Sequence, residues 1–211
     1  MAAEKKFWYM SVFEWTMATL TLAGVVIAVF TGLIFRKQLQ EMRTDERAWV
    51  IFSQGPLISF PQDVGSVATT PVIQRVNVSN TGKTPARSVY NEWVMEYVIN
   101  GDSPDFVYKN RMRTFESAGM LPPNESHHAD VKFETGTSGN SRDAVFRYLT
   151  VGEYRDLVSG RAYMVVYGHS NYMDIFGTQH WLNYCNFFLP PNVVAAASAR
   201  ACTDYNDTDH N

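Results

Sequence analysis

The longest uninterrupted apolar run in the chain is Trp15 to Phe35, WTMATLTLAGVVIAVFTGLIF, 21 residues without a charge. At about 1.5 Å per residue a helix of that length spans about 31 Å, the thickness of a bilayer's hydrocarbon core. Arg36 and Lys37 follow at once, and Trp8, Tyr9 and Trp15 suit the opposite headgroup region. A cleaved signal peptide carries a shorter apolar region, about 7–15 residues, and a small-x-small cleavage site behind it. The pattern therefore predicts an uncleaved transmembrane helix over 15–35, after a flank at 1–14 and before a helical juxtamembrane linker at 36–47. Four basic residues on the trailing flank (Arg36, Lys37, Arg43, Arg47) against Lys5 and Lys6 on the leading one lean toward a cytoplasmic C-terminal side. The periplasmic side stays open, because Lys5 and Lys6 can hold the N-terminus inside.

Beyond the linker the hydrophobic period changes to two. Val72, Gln74, Val76 and Val78 share one strand face, and Val89, Asn91, Trp93, Met95, Tyr97 and Ile99 share another. Ala48–Gln54 reads as a first strand stopped by Gly55-Pro56, with Leu57–Phe60 as its continuation beyond the turn, and further strands are expected over 106–115, 126–133, 161–168 and 178–189. Thr150-Val151-Gly152-Glu153 has the form of a capping box, so a short helix is expected from 151 to about 159. Turn clusters separate these segments, notably Asn100-Gly101-Asp102-Ser103-Pro104. The whole reads as mainly β: an antiparallel immunoglobulin-like β-sandwich over 48–189 with one short helix. Residues 190–211, Ala-rich and then Asp-rich, read as a mobile tail.

One helix face is distinctive. Gly24, Ala28, Gly32, Phe35, Leu39 and Met42 are spaced 4, 4, 3, 4 and 3 apart, which aligns them along about five turns. The first half is small-x-x-x-small, the pattern that lets two membrane helices approach closely. This stripe is the expected docking face for another membrane protein or for a second copy of the chain.

Composition changes the picture mainly by exclusion. Charged residues make up 18% and aromatics 14%, against about 25% charged in an average domain. The formal net charge of −3 offers no basic face for nucleic acid. Gly82-Lys83-Thr84 ends like a phosphate-binding loop, but Asn77 stands where the first glycine is required and Pro85 blocks the helix that should follow. Asn80-Thr81-Gly82 is better read as the turn between two strands. Glu92 and Glu96 share a strand face, expected to be the solvated one. His127 and His128 are adjacent on a strand and diverge. Cys185 and Cys202 show no framework spacing, and whether they pair is left open.

The densest group of potential ligands is His169, Asp174, His180 and Cys185. Such a set could bind zinc, but His180 and Cys185 differ by an odd number and face opposite sides of a strand. No metal site, no cofactor and no catalytic residue is assigned.

Three segments carry a resemblance: Arg47–Val50 (RAWV), Asn80–Ala86 (N-x-G-x-T-P-A) and Tyr172–Cys185 (Y-x-D-x-F-G-x-x-H-x-L-x-Y-C). Together they resemble a group of uncharacterised bacterial single-pass membrane proteins, with Leu182 standing where that group has Thr or Ser. The resemblance implies attachment to the bacterial inner membrane and a β domain, and no activity. The expected function is a non-catalytic binding or scaffold protein, an accessory subunit of a membrane assembly. The alternatives are a metalloprotein or enzyme using the His169–Cys185 region, or a ligand sensor.

Overall fold

The computed structural model describes residues 12–108, 113–135, 145–188 and 200–209. The chain divides into two units between Asp45 and Glu46. The first is α1, Val12–Glu46, one unbroken helix of 35 residues. By length and composition it can cross a membrane. Its threonines fit that setting. Thr16, Thr19, Thr21 and Thr31 each donate a hydroxyl proton to a carbonyl one turn back, at 2.8–3.0 Å. No hydroxyl in the apolar run is left to face hydrocarbon unpaired. Residues 36–46, predicted as a helical linker, continue α1 without a break.

The second unit is mainly antiparallel β. Eight strands form two sheets. The smaller sheet has the order β1-β2-β5, with β1 Val50–Ser59, β2 Ile73–Asn80 and β5 Ser126–Lys132. The larger has the order β10-β9-β8-β3-β4, with β3 Ala86–Ile99, β4 Thr114–Leu121, β8 Ala162–Met173, β9 Gln179–Phe188 and β10 Arg200–Ala201. A separate ribbon pairs β6 (Glu134–Thr135) with β7 (Val145–Phe146). The short helix α2, Val151–Val158, carries the predicted capping box: Thr150 Oγ1 accepts from Glu153 N, and Glu153 reaches back to Thr150 N.

The alternation read from the sequence builds a shared core. Val76 and Val78 of β2 and Val131 of β5 meet Val89, Trp93 and Met95 of β3 and Met164 and Val166 of β8 in one buried cluster. Phe52 of β1 ties the sheets together, its ring 5.5 Å from both Trp93 and Tyr184. Trp93 is fully buried. It lies against Gly168, its cross-strand partner on β8; a Cβ there would meet Trp93 Cδ1 at 2.1 Å. Only the residue without a side chain lets the indole pack flat on the neighbouring strand.

Several boundaries differ from the sequence reading. β1 does not stop at Gly55-Pro56 but runs through it, with a register shift between Gln54 and Leu57. β1 is an edge strand, where a proline removes no ladder bond. The strand expected over 106–115 begins only at Thr114. Phe106 there has φ +52°, outside the extended range of regular strand pairing. β8 runs to Met173 instead of ending at Gly168, so His169 lies in a strand. Residues 135–141, whose TGTSGNS sequence reads as a loop, fall almost wholly outside the described residues.

The largest departure concerns the segment expected to be a mobile tail. Its described part, 200–209, lies against β9. Arg200 and Ala201 pair with Phe187 and Asn186. Asn183 N donates to Asp207 O and Asp209 N to Trp181 O. The reason is apolar. Glu92 and Glu96 do not mark a solvated face, because Val94, Val98, Val165, Tyr167 and Cys185 on that side are buried under Phe106, Tyr108, Cys202 and Tyr205. The larger sheet is thus apolar on both faces, and this clasp covers the second one together with Phe106 and Tyr108.

Candidate functional site

The three motif segments, distant in sequence, come together in the β domain. Asn80, fully buried, is their hub. Its Oδ1 accepts from Trp49 N at 3.1 Å and Gly82 N at 3.0 Å. Its Nδ2 donates to Thr84 O at 2.7 Å and Leu121 O at 3.0 Å. Every hydrogen-bonding capacity of the amide is engaged by backbone. Thr81 N donates to Trp49 O at 2.8 Å, tying the turn to the entry segment. At Gly82 an added Cβ would sit 2.3 Å from Arg47 O and 2.5 Å from Trp49 N. The glycine that opens the nucleotide-like tripeptide is there because another backbone crosses it. Arg47 itself is buried, its guanidinium 3.7 Å from the centre of the Trp49 ring.

The third segment joins through Tyr172, whose hydroxyl lies 3.4 Å from Ala48 O. Tyr172 packs on His180 at 5.2 Å between ring centres. His180 is buried between two carboxylates. Its Nε2 lies 3.1 Å from Asp174 Oδ2 and its Nδ1 2.5 Å from Asp209 Oδ2. Two carboxylates on one imidazole require two protons among the three groups: both on the ring, or one on the ring and one on a carboxyl. Asp174 also closes the β8–β9 turn, its Oδ1 accepting from Phe176 N at 2.8 Å and Thr178 N at 2.9 Å. Burial raises the Asp174 carboxyl, but the bonds from His180, Thr178 and Phe176 outweigh it and hold the group below its ordinary value of 3.8.

The other candidates are elsewhere. His169 points to the opposite face of β8, where Nδ1 lies 2.6 Å from Asn183 Oδ1 and the ring stacks on Trp181. Cys185 is bonded to Cys202, with 5.4 Å between their Cα atoms. Asp174 and His180 come together, whereas His169 and Cys185 lie away from them on the other side of the sheet. Among the described residues no three His, Cys, Asp or Glu side chains are grouped to hold a metal ion. His127 and His128 are exposed on β5. Asp209 entered the sequence reading only as one of the acidic residues of the tail. Nothing local marks it, since its partner is 29 residues earlier.

The six stripe residues of α1 are exposed, and an added Cβ at Gly24 or Gly32 meets nothing within 4 Å.

No protein-family model matches the chain, and no curated protein does. A crystal structure of a Bordetella pertussis protein provisionally named ApaA is similar at 11% identity and a TM-score of 0.37, over 66% of this chain and 94% of that one.

Proposed function

We propose that the protein is a single-pass, membrane-anchored binding or scaffold protein, an accessory subunit of a membrane assembly, with no catalytic role. The observation that supports this best is the inward use of its polar residues. Asn80, Asp174 and His180 direct their hydrogen bonds to the domain's own backbone and carboxylates. The residues that resemble a family signature are therefore architectural. What remains for function is the anchor and the surface. The alternative metalloprotein or enzyme loses support from the same geometry, because Cys185 is oxidised and both His180 nitrogens are engaged.

The β domain is read as an immunoglobulin-like sandwich. The order β1-β2-β5 beside β9-β8-β3-β4 corresponds to strands A-B-E beside G-F-C-C′. A buried tryptophan on the strand in the C position is a hallmark of that fold, and Trp93 on β3 supplies one.

The disulfide supports a periplasmic domain in the bacterial inner membrane, the reverse of the lean from flanking charge. Disulfides persist in oxidising compartments and are rare in the cytosol. Lys5 and Lys6 would then mark the inner side.

The partner is another membrane protein or a second copy, met through Gly24, Ala28, Gly32, Phe35, Leu39 and Met42. Crosslinking in intact membranes followed by purification in mild detergent tests this. A specific adduct that Gly24→Leu with Gly32→Leu abolishes supports it. A lone monomer, or an adduct indifferent to both substitutions, rejects it.

A further inference from the structure

Between the clasp and the 100–106 turn a cleft of about 400 Å³ opens onto the outer face of the larger sheet. That volume is within the range of small-molecule sites. Three aromatic rings line it: Phe106, Tyr163 and Phe187. Tyr163 and Phe187 meet edge to face at 5.6 Å, and Tyr163 is fixed by donating its hydroxyl proton to Asp102 O at 2.9 Å. Phe106 is held with φ +52° and stacked on Tyr205 at 4.6 Å. A bulky residue in that backbone region is strained, and such strain gathers at binding sites. The Cys185–Cys202 bond pins the facing wall, since Cys202 lines the cleft. The rings are therefore fixed in advance of any ligand, which lowers the cost of ordering them on binding.

Among the described residues the charge at the cleft has one sign: Asp102 and Asp204 line it, and no described lysine or arginine does. Arg200, opposite Phe187 in the β10–β9 register, is not among its lining residues. Arg161 is occupied by Asp156 at 2.6 Å. The Tyr163 hydroxyl reports the same field: burial, and then the negative charges of Glu96 and Asp102, push it above its ordinary value. Aromatic faces and carboxylates without a cation of their own are the chemistry that recognises ammonium groups.

We propose that this cleft binds a small organic cation, an ammonium group carried on an apolar body, with Tyr163, Phe187 and Phe106 facing the body and Asp102 and Asp204 facing the charge. The site is independent of the helix stripe, so losing one interaction leaves the other measurable.

The test is calorimetric titration of the full chain, in an uncharged detergent, with benzyltrimethylammonium. Benzyl alcohol and benzoate at equal ionic strength are the controls. Saturable one-to-one binding with a dissociation constant of order 1 mM is expected for a probe with so few heavy atoms. Asp102→Asn with Asp204→Asn, both exposed and outside the core, should weaken it about tenfold while leaving thermal unfolding unchanged. Failure to saturate by about 20 mM, equal binding of benzyl alcohol, or unchanged affinity in the double variant would each overturn the proposal.

Discussion

Asn80 and Gly82 show how a chemical signature can be a structural one. The amide of Asn80 closes four hydrogen bonds to backbone from three separated segments, and Gly82 leaves room for Arg47–Trp49 to pass. Gly82→Ala should cost about 1–3 kcal/mol, the usual penalty for forcing atoms into a filled space. Thermal unfolding of the detergent-solubilised chain would read it. Lys83→Ala should cost nothing measurable, and nucleotide should shift the unfolding of neither protein. A stabilising shift with ATP or GTP would revive the phosphate-loop reading. The turn was legible in the sequence because Pro85 and Asn77 contradict a phosphate loop. The clamp was not, because its partners Trp49 and Leu121 are fixed by sheet packing rather than by spacing.

At the scale of elements, the β8–β9 hairpin depends on a charged side chain. Asp174 accepts two backbone N–H bonds across the turn and one bond from His180. Its folded value is held below 3.8, so the unfolded chain binds this proton more readily than the folded one. The stabilisation is present above that ordinary value and is lost as pH falls through it toward the lower folded value. Between about pH 5 and pH 3 the native protein should therefore lose stability more steeply than Asp174→Asn, which keeps an acceptor for the turn but removes the charge. Parallel slopes in acid unfolding curves would show that Asp174 is not a linked group. Asp130, lowered mainly by its bond from Arg75, contributes in the same direction in both proteins and cancels from the comparison. Element identity was largely readable here, since period-two alternation is strong in β2 and in the Val89–Met95 part of β3. The ends were not: β8 runs five residues further than expected because β9 continues to pair with it through Met173.

For the molecule as a whole, what the sequence hid is the second apolar face of the larger sheet. Tyr167 and Val165 alternate with Val166 and Met164 on β8, and all four are buried. A run apolar on both sides signals cover on both sides. Phe106 and Tyr108 supply part of the cover and 200–209 the rest, although the polar composition of 200–209 resembles that of a disordered segment. Asn206 explains much of the contradiction, since its amide bonds Cys185 N, Cys185 O and Cys202 O. The disulfide closes a sequence separation of 17 residues, and such a loop constrains the unfolded chain by about 3 kcal/mol. Cys185→Ala with Cys202→Ala should lower the unfolding temperature by roughly 6–12 °C. In cells, a thiol-reactive polymer applied under denaturing, non-reducing conditions should leave both cysteines unlabelled. Full labelling in freshly trapped cells would return the domain to the cytoplasm.

Chain order gives the clasp one more consequence. Translation delivers residues 200–209 after every strand they cover, and an oxidant must then act before the staple holds. A newly made domain therefore passes through an interval with β1 to β9 laid down and the Val94, Val98, Val165 and Tyr167 surface still lacking the Cys202 and Tyr205 part of its cover. Maturation is vulnerable during that delay, when holdase chaperones have something to grip and a shortage of oxidant would surface as clumping of otherwise correctly layered protein.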